Sequence, residues 1–171
     1  MAAPVEWTRG AWTVSTDRAR LDRELTARTL AGVYWSPGIP REVVEGAIEH
    51  SLCFGLYREG AGQVGFARFV TDYYTFAYLC DVFVLESERG QGAGKFLMEC
   101  VMAYPGLDRL RRLMLVTRDA HELYRQFGFA ELANPGRWME IFDPGAATIQ
   151  GRSHERAACA INPDSRGGRR E

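Results

Sequence analysis

Glycine occupies every second position of Gly90-Gln91-Gly92-Ala93-Gly94, and Arg89 and Lys95 stand at the two ends of that stretch. Three missing side chains let backbone N–H groups come close to a ligand, and N–H groups at a helix start bind anions. The flanking cations add charge of the same sense, so the chemistry open to this turn is the holding of a phosphate or diphosphate. An apolar, β-branched and aromatic run over residues 76–85 precedes it, and Phe96, Leu97, Cys100, Val101 and Tyr104 recur behind it at helical spacing. The turn therefore joins a strand to a helix that begins near Gly92 and stops before Pro105.

Three phosphate-binding patterns compete for the segment. A P-loop needs Gly-x-x-x-x-Gly-Lys-Ser/Thr; counted back from Gly94-Lys95 the first glycine position holds Arg89, and Phe96 replaces the hydroxyl residue. A dinucleotide fingerprint needs Gly-x-Gly-x-x-Gly, but Lys95 stands where the third glycine belongs, and hairpins rather than a βαβ unit come first. The looser pattern Arg/Gln-x-x-Gly-x-Gly/Ala is met by Arg89, Gly92 and Gly94.

The elements that must position this turn are legible from periodicity. Residues 12–15 predict an opening strand, Thr16-Asp17 a cap, and Leu21, Leu25 and Leu30 the stripe of a first helix. Pro37-Gly38-Ile39-Pro40 breaks the chain before a second short helix over 41–49. Strands are expected over 52–58 and 63–71, joined by Glu59-Gly60-Ala61-Gly62, and a turn containing Asp72 leads to the strand over 76–85. Beyond the central helix come a strand over 113–117, a helix over 120–127 stopped by Gly128, and a last strand over 138–142.

Composition bounds the rest. A chain of 171 residues with 46% hydrophobic and 25% charged residues suits one globular domain, placed at 1–143. Residues 145–171 hold five arginines, four glycines and almost no large apolar side chain, so 144–171 is expected to be a flexible tail. A net charge of −1 points to no nucleic-acid or membrane partner. The first twelve residues lack the apolar stretch of a signal peptide, and no run of 18 apolar residues occurs. The four cysteines, Cys53, Cys80, Cys100 and Cys159, form no C-x-x-C pair, and three lie in apolar surroundings, as thiols of a reducing compartment do. The cytoplasm is the expected location.

A second block strengthens the looser pattern. Thr117-Arg118-Asp119-Ala120-His121-Glu122-Leu123-Tyr124-Arg125-Gln126-Phe127-Gly128-Phe129 is similar to the N-x-x-A-x-x-x-Y-x-x-x-G-F segment of the GNAT superfamily of N-acyltransferases, with alanine, tyrosine and Gly-Phe in register. Over residues 12–142 the chain resembles that superfamily, in which the glycine turn holds the diphosphate of coenzyme A. The resemblance implies an α+β fold: a mixed, mostly antiparallel sheet of six to seven strands flanked by helices on both faces. It also implies transfer of an acetyl group from acetyl-CoA directly to a primary amine, with no metal. Two departures stand out. Thr117 replaces an asparagine that contacts the pantetheine arm, and Arg112 stands where some members carry a catalytic glutamate.

The resemblance assigns cofactor contacts to Arg89, Gly90, Gln91, Gly92, Ala93, Gly94, Lys95 and Thr117, and to backbone groups of Val82, Phe83 and Val84 left unpaired by a splayed strand. Tyr124 is the expected general acid for the departing thiolate; the other reading is an aromatic packed in the core with its hydroxyl at the edge. Asp81, a carboxylate within an apolar strand, is the candidate base for the amine, or else a structural hydrogen-bond acceptor. His121 and Glu122 read as exposed face residues. Tyr34 and Trp35 are expected either as a lid over the acceptor or as a lid anchored into the domain core, and Arg68 as a contact to an acidic substrate group or a solvent-facing residue. The acceptor amine belongs to a small molecule or a protein; the oligomeric state stays open, a homodimer being suggested by analogy alone. Two other classes stay open: a non-catalytic acyl-CoA-binding sensor using the same cleft, and a nucleotide-binding domain of another kind.

Overall fold

The computed structural model describes residues 3–143; the 144–171 segment lies outside the described residues. Six strands form one sheet in the order β1(Glu6–Arg9), β2(Trp12–Ser15), β3(Leu52–Arg58), β4(Gly62–Thr71), β5(Phe76–Val84) and β6(Arg112–Leu115). The first five pair antiparallel, and β6 lies parallel to β5. Among the described residues there are four α-helices, α1(Arg23–Ala31), α2(Arg41–Glu49), α3(Ala93–Met102) and α4(His121–Arg125).

Period-2 alternation in the central strands sorts their side chains between two apolar layers. Phe54, Leu56, Ala67, Phe69, Ala77 and Leu79 pack with Phe96, Leu97, Met98 and Val101 of α3. Phe66 and Phe83 instead meet Leu30 of α1 and Val44 and Ile48 of α2. Helix α3 buries Ala93, Phe96, Leu97, Met98, Cys100 and Val101, which fixes its first turn against the sheet. The α1–α2 pair covers the opposite face, so helices flank the sheet on both sides.

Several element boundaries differ from expectation for local reasons. Asp17 caps only a single 3-10 turn (Arg18–Arg20), accepting from the Ala19 N–H, and α1 starts after Asp22, whose carboxylate accepts from the Leu25 N–H at 2.8 Å. Strand β1 was not foreseen; it pairs with β2 across a turn in which Gly10 has φ +57°. The expected last strand over 138–142 joins no ladder. Met139 and Ile141 are 97% and 89% exposed there. No helix among the described residues is long and apolar enough to cross a membrane.

Candidate active site

The parallel ladder between β5 and β6 runs from the pair Phe76–Arg112 to the pair Leu79–Leu115 and ends there. Strand β5 continues to Val84, so residues 80–84 have β4 on one side and no β6 partner on the other. Within this stretch the β4 register shifts: Arg68 faces Cys80 but Phe66 faces Phe83, which places one extra residue on β5. Asp81 lies in that bulge with φ +55°, a left-handed conformation that aspartate tolerates better than most side chains. Of the three residues expected to open toward a pantetheine arm, Val82 and Val84 are half-buried. Phe83 is buried, its ring 6.1 Å from that of Phe66.

Beyond Val84 the chain makes one 3-10 turn (Glu86–Glu88) and then the glycine bend. Glu88 is buried and accepts two bonds from Arg58 at 2.8 and 2.9 Å, tying the bend to the end of β3. Sequence reading missed this anchor; an isolated glutamate in a polar turn carries no sign of burial. Gly90 and Gly92 have φ +73° and +90°, and an added Cβ at either would meet nothing within 4 Å, so the outer side of the bend is open. The first intrahelical bond of α3 is Phe96 N–H to Gly92 C=O, and no side chain caps the helix. The N–H groups of Ala93, Gly94 and Lys95 thus start a ten-residue helix without intrahelical partners. Gly94 brings the helix against the strand, its Cβ position lying 3.7 Å from Val84 Cγ2. Lys95 and Gln91 are exposed beside the bend, and the Gln91 side chain donates to Ser87 C=O. Arg89 folds back, donating from Nε to the Val84 carbonyl at 3.1 Å, and so occupies one of the strand's free groups.

On the other side of the gap, Thr117 Oγ1 accepts from the Ala120 N–H at 3.0 Å and shapes the entry to α4. Tyr124 of α4 is half-buried with its ring edge-on to Phe129. Burial first, then the neighbouring Tyr34 and Asp119, push its phenol up to about 12. His121 and Tyr124 line a cleft of about 300 Å³ bounded by β6 and residues 129–132. His121 therefore takes part in a cavity wall, whereas Glu122 pairs with Arg125 on the surface.

Tyr34 and Trp35, half-exposed and edge-to-face at 4.9 Å, sit on the α1–α2 connection. The Tyr34 hydroxyl donates to Asp119 Oδ1 at 3.2 Å and accepts from the Arg118 N–H at 3.4 Å. The Arg118 guanidinium lies 3.7 Å over the Tyr34 ring. The connection is thereby fastened to the loop that follows β6. Arg68 does not face solvent: Nε donates to Asp81 Oδ2 at 2.6 Å and a terminal nitrogen donates to Ser51 Oγ at 3.1 Å. The two charged side chains are 16% and 12% exposed. Burial pulls the Arg68 guanidinium down, and the Asp81 carboxylate together with the neighbouring Cys80 and Cys53 more than offsets it. Among the described residues, no group of three or more His, Cys, Asp or Glu is placed to hold a metal ion.

An open-sided strand, an uncapped glycine bend at a helix start and a half-buried tyrosine make up the candidate site, and comparison with known proteins identifies its class. Residues 49–131 match the acetyltransferase (GNAT) domain model. A Gibberella zeae protein assigned as a candidate acetyltransferase is 36% identical over 141 residues, covering 71% of this chain and 80% of the relative. A crystal structure from Xanthomonas campestris pv. campestris, assigned to the GNAT family of acetyltransferases, is 48% identical with a TM-score of 0.77 and covers 82% of this chain and 99% of that one. A Staphylococcus aureus structure, described as a protein of unknown function and a candidate acetyltransferase, shares 25% identity at a TM-score of 0.63, over 77% of this chain and 99% of that one. The chain belongs to the GNAT family of acetyltransferases.

Proposed function

We propose that the protein transfers an acetyl group from acetyl-CoA directly to a primary amine, carried by a small molecule or by a protein. The observation that carries this reading is the end of the β5–β6 ladder at Leu79–Leu115. Backbone groups need partners when buried. The free side of residues 80–84 offers such groups to the pantetheine amides, directly beneath a bend whose exposed amides suit a diphosphate.

In this reading the amine nitrogen attacks the thioester carbonyl. The C–N bond forms, the C–S bond breaks, and a backbone N–H of the open strand steadies the oxyanion between the two events. The leaving thiolate takes its proton from Tyr124. A phenol raised to about 12 stays protonated at neutral pH, so it serves as donor and not as acceptor. The amine, with a pKa near 10 like that of lysine, sheds its proton before attack. Asp81 is the carboxylate nearest the open strand by sequence. Its 2.6 Å pair with Arg68 favours the reading in which it anchors the bulge and water carries the amine proton.

The test is release of free thiol from acetyl-CoA in the presence of a broad panel of amines. Amine-dependent release supports transfer. Thermal stabilisation by coenzyme A with no release on any amine would establish the non-catalytic sensor instead, and stabilisation by ATP or NAD but not by coenzyme A would restore the nucleotide-binding alternative.

A further inference from the structure

Alternation along β4 fixes where Arg68 points. Ala67 and Phe69 pack into the α3 layer and Phe66 into the α1–α2 layer, so Arg68 and Val70 lie on the α1–α2 side of the sheet. Register sets Arg68 beside Cys80, and Val70 beside Tyr78, which lies in turn beside Met114 of β6. The apolar layer beneath α1 and α2 takes in Cys53, Phe66 and Phe83 but none of Val70, Tyr78 and Met114. Val70 is 45% exposed and the other two are half-buried. An uncovered apolar shelf therefore adjoins the Arg68–Asp81 pair.

That pair is held in place without being used up. Arg68 spends Nε on Asp81 Oδ2 and Nη1 on Ser51 Oγ, which leaves donors of the guanidinium over. Arg68 Nη2 and Asp81 Oδ1 make no hydrogen bond among the described residues, and neither is sealed from water. Each sits one carbon away from the 2.6 Å Nε–Oδ2 contact, so a free cationic donor and a free anionic acceptor lie side by side. A lone carboxylate reaching Nη2 meets the repulsion of Asp81, and a lone ammonium reaching Oδ1 meets that of Arg68. A ligand with both charges on neighbouring groups satisfies the two atoms together. Asp81 also lies in the stretch of β5 that has no β6 partner, so an ammonium beside it rests along the open strand.

We propose that the acceptor is an apolar α-amino acid: its carboxylate takes the free Arg68 donors, its ammonium turns to Asp81, and its side chain lies on Val70, Tyr78 and Met114. The chemistry that follows rests on the acetyl-transfer reading; the binding does not. One ammonium proton passes to water, the nitrogen attacks the thioester carbon, and the C–S bond breaks. A second proton leaves the nitrogen and restores Tyr124, which has protonated the thiolate. The products are an N-acetyl amino acid, coenzyme A and the released proton. Acetylation abolishes the ammonium, so the product's carboxylate is left facing Asp81 and departure is favoured.

Titration calorimetry in saturating coenzyme A, which has no acetyl group to give, reads the site without turnover. Phenylalanine should bind at least about 10-fold more tightly than phenethylamine, which lacks the carboxylate, and than 3-phenylpropanoate, which lacks the amine, because a hydrogen bond to a charged group contributes about that factor. Aspartate and lysine, each with a charge to lay on the shelf, should bind at least about 10-fold more weakly than phenylalanine. In Arg68→Met/Asp81→Asn the preference for phenylalanine over phenethylamine should vanish while phenethylamine binds as before, a selective loss that a merely loosened strand would not give. A wild type indifferent to the carboxylate or to the amine, or a double variant that keeps the preference, would overturn the assignment. Thiol release separates it from acetyl transfer. Release on amines of every kind, with no preference for zwitterions, refutes the amino-acid acceptor alone. Phenylalanine bound as expected, with no release on any amine, supports the site and refutes the transfer.

Discussion

Replacing Asp81 by asparagine separates its two candidate roles, because one is read by stability and the other by turnover. The carboxylate and the Arg68 guanidinium meet at 2.6 Å with 12% and 16% of their side chains exposed, so solvent screens the pair little. Removing one charge of a buried pair costs about 3–5 kcal/mol, chiefly through the charge left behind. Asparagine keeps a neutral acceptor for Arg68 and tolerates φ +55°, which places the loss near the lower figure. For a chain of this length about 3 kcal/mol corresponds to a fall in Tm of roughly 6–12 °C. The double variant Arg68→Met/Asp81→Asn removes the stranded charge and should regain most of that loss, since apolar replacements of buried pairs are often neutral. Thiol release is then assayed well below both melting temperatures. If Asp81 anchors the bulge, kcat returns along with Tm in the double variant. If it accepts the amine proton, kcat stays about 100-fold down although Tm has returned. A single-variant Tm shift below about 2 °C would refute the premise that the pair supports the strand at all.

The other positions give independent checks. Tyr124→Phe should lower kcat by about 100-fold or more with the KM for acetyl-CoA nearly unchanged, and because its phenol lies at about 12 the wild-type rate should show no decline from its ionisation up to pH 10; an unaltered kcat removes Tyr124 from the reaction. Gly92→Val forces a branched side chain to φ +90°, which costs about 1–2 kcal/mol in the free protein, and fills the open side of the bend. Titration calorimetry should show coenzyme A binding weakened more than about 10-fold, and an unchanged Kd would move the diphosphate elsewhere. Asp72 accepts from the Thr75 hydroxyl and from the N–H groups of Thr75, Tyr74 and Phe76, which hold its carboxyl well below the usual range. A lowered folded pKa stabilises above the unfolded value near 3.9 and that contribution fades as pH falls toward the folded one. Asp72→Asn should therefore lower Tm at pH 7 and flatten the Tm–pH slope between about pH 4 and pH 2; parallel slopes would deny the carboxylate its role in the turn.

What the sequence disclosed and what it withheld follow from the range of the forces involved. Alternation in β3 to β5 and the apolar stripe of α3 are local signals, so those elements and the glycine bend between them were legible. Strand β1 was not, because Glu6-Trp7-Thr8-Arg9 is short and polar and its support comes from other elements: the β2 ladder, Phe54 against Trp7 and Glu99 on Arg9. The 138–142 segment has a strand's composition, yet pairing needs an edge, and no local pattern reports whether one is within reach. At the site, the residue types of the bend and of the α4 block were readable, but partners distant in sequence were not. Arg68 finds Asp81, Glu88 finds Arg58, and Tyr34 finds Asp119 across 85 residues. Each partnership alters what a side chain is free to do. Arg89, expected to face the diphosphate, spends its Nε on Val84 for the same reason.

The extra residue at Asp81 is also a counting device. Ala77 and Leu79 before it point into the α3 layer, and Phe83 after it points into the α1–α2 layer. Deleting one residue there would erase the phase shift between the two halves of the strand. Phe83 would then aim at α3, Val84 would turn toward α2, and the Gly94 contact would lose its partner. The lower half of β5 is thus keyed to its own ladder and the upper half to the helix above it, with a single left-handed residue setting the offset between the two frames.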